Sequence, residues 1–554
     1  MLLQILLGLF IGSAVAYVDK EGPPQWSPVY VVKGILNIPY AELHEPFYIW
    51  YDSKNGKSRI DYYGAMVKTY QLSSAAFPQY GTSIKVAPVT TETVLNQQTC
   101  LQVNGTSDQS IGVQSVLPDM TDFKYIGSET MRDADTSKWQ MVQTIGDKIN
   151  KYTMWVKHKK TLKGDSVPIP VRYQMKGFNS LLGSHYDHYY IDYEGYDIDD
   201  IDQKVFDVDS NLQCTSFPGP GSHHLATFNP MKEFVHPVFD AHVDHEFDRF
   251  KRKHNRQYKS DIEHEKRLNI FRQNLRYVHS NNRARLGFSL AVNHLADRTD
   301  DEMQALRGRK HSVDKNNGGL PFPYSESVLR EMSVKLPPEF DWRLFGAVTP
   351  VKDQSVCGSC WSFGTVGAVE GALFLHNGGH LVRLSQQALI DCSWGFGNNG
   401  CDGGEDFRSY QWIMKHGLPT EEDYGGYLGQ DGYCHIDNVT LVTSVKGWVN
   451  VTTNNENALR LAIFKHGPIS VAIDASHKTF SFYSHGVYYD PDCKNKLEEL
   501  DHAVLAVGYG ILNGQKYWLI KNSWSNLWGN DGYVLMSSRD NNCGVETAPT
   551  YVLI

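Results

Sequence analysis

Nine cysteines stand in this chain: Cys100, Cys214, Cys357, Cys360, Cys392, Cys401, Cys434, Cys493 and Cys543. An odd count in a chain with secretory features calls for a free thiol. Two lie in the first half and seven in the second, so pairing within each half joins Cys100 to Cys214 and leaves one thiol over on the C-terminal side. A thiol attacks a carbonyl only as thiolate, which needs a cationic neighbour or a helix N-terminus. The run after Cys360, through Phe363, Val366, Val369 and Glu370, has helical character and would set that sulfur at a helix's positive end. Gly364, Gly367, Ala368 and Gly371 would let the helix pack closely. Amide hydrolysis then needs a base that becomes the acid for the departing amine, a group that orients it, and donors for the oxyanion. Cys357, three residues before Cys360, opens a redox C-x-x-C alternative.

The local pattern decides between the two. Cys357-Gly358-Ser359-Cys360-Trp361 resembles the segment around the nucleophile of papain-like cysteine proteases, and the resemblance, to the cathepsin L-like branch with its propeptide, covers roughly the last 300 residues. It implies an α+β, two-lobed protease domain with Cys360 as nucleophile. Asp501-His502-Ala503 resembles the family's histidine motif, and Lys521-Asn522-Ser523-Trp524 its asparagine motif, with Asn522 pinning the imidazole and Trp524 sheltering that bond. Gln354 is implied as the oxyanion donor beside the backbone N–H of Cys360. The disulfides implied are Cys357–Cys401, Cys392–Cys434 and Cys493–Cys543, which leaves Cys360 free.

Carried over residue by residue, Gly403 and Gly404 would pair with an extended peptide, and Glu405, Asp406, Ala472, Leu500, Ala503 and Ala548 would line the pocket for the second residue before the scissile bond (P2). Trp528 would lie on the leaving-group side. The apolar members imply a hydrophobic P2 residue, whereas Glu405 and Asp406 depart from the family's pattern and imply either a basic P2 or P3 residue or two solvated carboxylates. No inserted segment blocks one end of the cleft, which implies an endopeptidase.

Upstream, Glu263, Arg267, Phe271, Asn274, Val278 and Asn282 resemble the interspersed helix motif of cathepsin L-type propeptides, with Val for the usual Ile. Ala291-x-Asn293-x-Leu295-x-Asp297 resembles a second propeptide motif, with Ala for Gly and Leu for Phe. These imply a zymogen whose cleft is crossed backwards by its own chain and which is cut near Leu336. A long β-rich extension ahead of such a precursor is similar to an insect haemocyte protease type of two associated chains. It implies that the extension stays bound after processing. Protein and peptide substrates and cystatin-type inhibitors follow as the partners implied.

The positioning elements divide the 554 residues into four parts. Residues 1–16, apolar from Leu2 to Phe10 and ending in Ala14-x-Ala16, read as a signal peptide, too short to span a membrane. Residues 17–235 alternate aromatic and β-branched stretches with Gly, Asn and Pro, which predicts a mainly antiparallel β domain, a sandwich or open barrel. Residues 236–335 turn helical and charged and end in an exposed linker from Arg309 to Lys335, and 336–554 form the protease domain. A secretory destination, lysosomal, granular or extracellular, follows, with N-x-S/T sequons at Asn104, Asn438 and Asn450.

A net charge of −9 gives no reason to expect nucleic acid as partner. His236, His242 and His245 with Asp240 and Asp244, and His185 with His188, fit no metal-ligand spacing and read as a solvated linker and a polar strand face, so neither metal nor cofactor is expected. Two other classes compete: a ligand-binding β domain carrying a vestigial protease, against which intact Cys360, His502, Asn522 and Gln354 argue, and a propeptide that inhibits other proteases in trans, to be tested with isolated residues 236–335.

Overall fold

The computed structural model describes residues 22–73, 78–160, 166–236, 241–312 and 317–554; the signal segment and Asp240 lie outside these. Twelve strands of the N-terminal region form one continuous sheet. Its centre is Val29–Ile38, flanked by Leu43–Asp52 on one side and by Ser184–Asp197 on the other. From there the two wings run outward as simple meanders, to Gln97–Asn104 and to Lys124–Met131. All pairings are antiparallel except that of the edge strand Cys214–Ser216, which runs parallel to Gln97–Asn104 with Cys214 opposite Cys100, joined as a disulfide. Pairing is thus unbroken from edge to edge, not divided between two sheets as a sandwich would require.

The propeptide follows as two helices. Asp261–Ala284 starts at Ser260, whose side chain accepts from the Glu263 N–H. Phe271 packs against Phe247 and Phe250 of helix Ala241–Lys253, with ring centroids 5.2 and 5.0 Å apart. A surface helix keeps its polar face in water. This one does not, because Arg272, Gln273, Arg276, Ser280 and Arg283 are buried. The N-terminal sheet answers them: Arg276 donates to both oxygens of Asp187 at 2.7 and 2.9 Å, and Arg283 to both oxygens of Glu45 at 2.6 and 2.8 Å. Glu233 adds a third carboxylate at 2.7 Å from Arg276 and takes His242 at 3.2 Å. His242 is therefore a buried partner at a helix start, not part of a solvated linker, because Glu233 draws it in.

In the protease domain, helix Cys360–His376 belongs to one lobe and packs on strands Ile469–Ile473 and His502–Leu512 of the other. The close approach needs its glycines: a Cβ on Gly364 would meet the Ser470 hydroxyl at 3.0 Å, and one on Gly367 the Leu505 side chain at 2.6 Å. The sheet of this lobe ends at both edges in segments from upstream, Phe288–Leu290 against Tyr483–Tyr488 and Leu320–Pro321 against Gly447–Asn450. The stretch 309–335 is accordingly not an exposed linker throughout. Its start lies in the cleft, its middle adds an edge strand, and helix Glu326–Ser333 packs on helix Glu456–His466.

Removing Glu45 leaves Arg283 buried without its counter-charge. Glu45→Ala is expected to cost about 3–5 kcal/mol. The double variant Glu45→Leu/Arg283→Met should recover most of that, as read from thermal unfolding of the precursor.

Candidate active site

Cys360 opens its helix and is fully buried, as is His502 at the first position of its strand. The imidazole Nε2 donates to Asn522 Oδ1 at 2.8 Å, and the Trp524 ring covers the pair with its centroid 4.8 Å from that of His502. This bond fixes the tautomer and leaves Nδ1, which has no hydrogen-bond partner, to exchange a proton with the thiol. Gln354 is held by two bonds to Ser523, its N–H to the carbonyl at 2.8 Å and its Oε1 to the hydroxyl at 2.7 Å. Tyr427 ties the Gln354 carbonyl (2.7 Å) to the Ser359 hydroxyl (2.7 Å). Sequence reasoning did not single out Ser523 or Tyr427 as supports for this wall.

The centre is occupied by the chain's own propeptide. Gln354 Nε2, aimed where an oxyanion would form, donates to the Leu306 carbonyl at 2.9 Å. Gly404 donates to the Gly308 carbonyl at 2.9 Å and accepts from the Lys310 N–H at 2.9 Å, a parallel bridge centred on Arg309. A side chain at 308 would collide with the Gly358 carbonyl, so only glycine passes the nucleophile there. Beyond it, Ser312 N–H donates to Glu405 at 2.9 Å, and Arg408 holds the same carboxylate at 2.8 Å.

Closure sets the protonation states. Burial pushes the Cys360 thiol up to about 11, with the Ala503 and Gly308 N–H groups opposing. It pushes His502 down to about 4, against the pull of the Asn522 bond. The pair is held as neutral thiol and neutral imidazole, the unreactive form.

Four disulfides are formed, Cys100–Cys214, Cys357–Cys401, Cys392–Cys434 and Cys493–Cys543, and Cys360 alone is free. Cys357 is therefore no redox partner. Asp474, His477 and Cys493 cluster as metal ligands would, but the Cys493 sulfur is spent in its disulfide. Of the remaining pocket residues, Ala472 and Ala503 are cross-strand partners, Ala548 precedes strand Thr550–Leu553, and Trp528 donates to the Phe480 carbonyl at 3.0 Å behind Trp524.

Residues 336–553 match the papain family cysteine protease domain and 247–303 the cathepsin propeptide inhibitor domain. A cathepsin L-like peptidase of Aedes aegypti is 44% identical over 321 residues, covering 56% of this chain and 94% of that protein. The chain belongs to the papain family of cysteine proteases. Procathepsin L of Mus musculus is 40% identical over 329 residues, covering 57% of this chain and 94% of its own. The solved digestive procathepsin L2 of Tenebrio molitor superposes with a TM-score of 0.52 at 34% identity, over 56% of this chain and 100% of that one. The chain is thus a cathepsin L-like cysteine protease that carries its own propeptide, and the papain-like fold accounts for the part beyond the N-terminal sheet.

Acid should loosen this closure through histidines the propeptide buries. Burial holds His279 and His294 down to about 3. The released, solvated ring binds its proton near pH 6.5, so their contribution to closure is complete above about that pH and is lost as pH falls toward about 3. His294→Gln should shift the midpoint of acid processing to lower pH, followed on gels across a pH series; an unmoved midpoint would contradict the assignment.

Proposed function

We propose that the chain is the precursor of a cysteine endopeptidase, stored shut by its own residues 306–312. The observation that carries this is the joint occupation of Gln354 and Gly404 by one backward-running strip. Once the strip leaves, solvent reaches Cys360 and His502, the thiol passes its proton to His502 Nδ1, and the thiolate attacks a peptide carbonyl. Gln354 Nε2 and the Cys360 N–H receive the oxyanion, His502 returns its proton to the departing amine, and water hydrolyses the thioester. Protein and peptide substrates would enter in the opposite sense to the propeptide, pairing antiparallel with Gly404.

We assign residues 17–235 to an N-terminal β domain, 236–335 to propeptide and linker, and 336–554 to the protease. The cut near Leu336 falls just after an exposed stretch in which Val334 is 85% accessible. The N-terminal chain would then stay attached. Edge pairing at Phe288–Leu290 and Leu320–Pro321 with strands of the protease supports this, and no disulfide joins the two parts. The leader sequence favours the secretory pathway, ending in lysosome, granule or extracellular space, and no helix among the described residues is long and apolar enough to cross a membrane. Asn104 and Asn438 are exposed and suited to glycosylation. Asn450 exchanges amide hydrogen bonds with Asn317 at 2.8 and 3.0 Å, which leaves no room for a sugar while the linker is docked. Cystatin-type proteins, which would block an open cleft, are the inhibitors to try first.

Acidified precursor should yield a chain starting near Leu336 and cleave fluorogenic peptides, with neither event in Cys360→Ala. On size exclusion at neutral pH the two chains should elute together and separate in reducing and non-reducing denaturing gels alike. Correct processing without any peptidase activity would sink the proposal.

A further inference from the structure

The pocket beside Gly404 holds a basic side chain in the closed precursor. Residues facing each other across a β bridge project to the same side of the pairing whether the strands run parallel or antiparallel. Arg309, opposite Gly404, therefore sends its side chain where the P2 side chain of a substrate would go. Its N–H donates to the Asp501 carbonyl at 3.0 Å, and its guanidinium to the carbonyls of Leu500 at 2.9 Å and Leu497 at 3.4 Å.

Asp406 belongs to the same pocket. Its Oδ2 accepts from the Thr550 hydroxyl at 2.8 Å and the Ser470 hydroxyl at 3.3 Å, and its Oδ1 from the Phe407 N–H at 2.8 Å. Burial pushes its carboxyl up from the usual carboxylate range, and the Thr550 and Phe407 donors oppose that by stabilising the charged form. Yet no ion pair reaches it among the described residues, whereas its neighbour Glu405 is paired with Arg408 at 2.8 Å. The cationic charge that acts on it most is that of Arg309, which leaves the cleft with the strip. Activation thus leaves a half-buried carboxylate, held by the Thr550 and Ser470 hydroxyls, without a counter-charge. Such a group favours a ligand that supplies one.

We infer that Asp406 is a specificity-determining residue that makes the activated enzyme prefer arginine or lysine at P2, in place of the apolar residue that the rest of the pocket wall suggests. The inference rests on the protease reading above. Lys310, reaching Asn399 Oδ1 at 2.8 Å, extends the same basic character one position further along the strip.

The test uses the acid-activated enzyme and four fluorogenic dipeptides that share arginine next to the scissile bond and differ at P2: arginine, lysine, leucine and phenylalanine. Active enzyme is counted by alkylation of Cys360. Arginine is expected to exceed leucine in kcat/KM by about tenfold or more, the scale of one well-placed pocket contact. Asp406→Asn, nearly isosteric, should abolish that preference, and Asp406→Leu should reverse it, with the alkylated fraction unchanged in both. A wild type that prefers leucine or phenylalanine, or an arginine preference that survives in Asp406→Asn, would overturn the inference while leaving the protease reading intact. No cleavage of any of the four by unmodified enzyme, of which a parallel sample shows Cys360 fully open to alkylation, would overturn both.

Discussion

Two backbone hydrogen bonds from Gly404 hold residues 308 and 310 in the cleft in the parallel sense, and the latency of the molecule depends on that direction. A substrate and this strip satisfy the same donors and acceptors. The strip, however, runs the other way, presenting the Leu306 carbonyl to Gln354 and the Gly308 N–H to the thiol. Gly308 makes the passage possible, since any side chain there would strike the Gly358 carbonyl. Inhibition and recognition thus use one surface, and what distinguishes them is chain direction.

A strip held by a few hydrogen bonds would be a weak seal. Its strength comes from what lies on either side of it. Upstream, Phe288–Leu290 lengthens one edge of the protease sheet; downstream, Leu320–Pro321 lengthens the other. Behind both stands the long helix Asp261–Ala284, whose inner face is fixed by Asn274 to the Ala296 carbonyl and by Arg267 to Glu302. The N-terminal sheet covers its outer face and pairs Arg276 and Arg283 with Asp187 and Glu45. Partner loss in such buried pairs is costly. The extension therefore converts a helix with one wet face into one buried on both sides, and it carries histidines into places where protonation is penalised.

The residues proposed as catalytic stand out in the sequence because each sits in a short local motif, and the structure brings them together: Cys360 at a helix start, His502 bonded to Asn522, Trp524 over that pair. The cysteine arithmetic was legible too, since an odd count needs a spare thiol. The N-terminal strands could be read from composition, but not their order, because Val29–Ile38 meets Ser184–Asp197 across some 150 residues of intervening chain and nothing local encodes that meeting. His242 and the segment after Arg309 were misread for a common reason. Both are polar in sequence and buried by partners supplied from elsewhere, Glu233 for the first and the cleft for the second. Arg309 acts on Asp406 from nearly a hundred positions away in the chain, and nothing local ties the two together until the fold brings the strip into the cleft.

The most direct test of latency by closure is the alkylation rate of Cys360 in intact precursor and in processed enzyme at neutral pH. With its thiol buried and pushed up to about 11, the precursor should react slower than the processed form by at least about a hundredfold. Equal rates would mean that the propeptide does not govern the reactivity of the thiol, and would contradict the account.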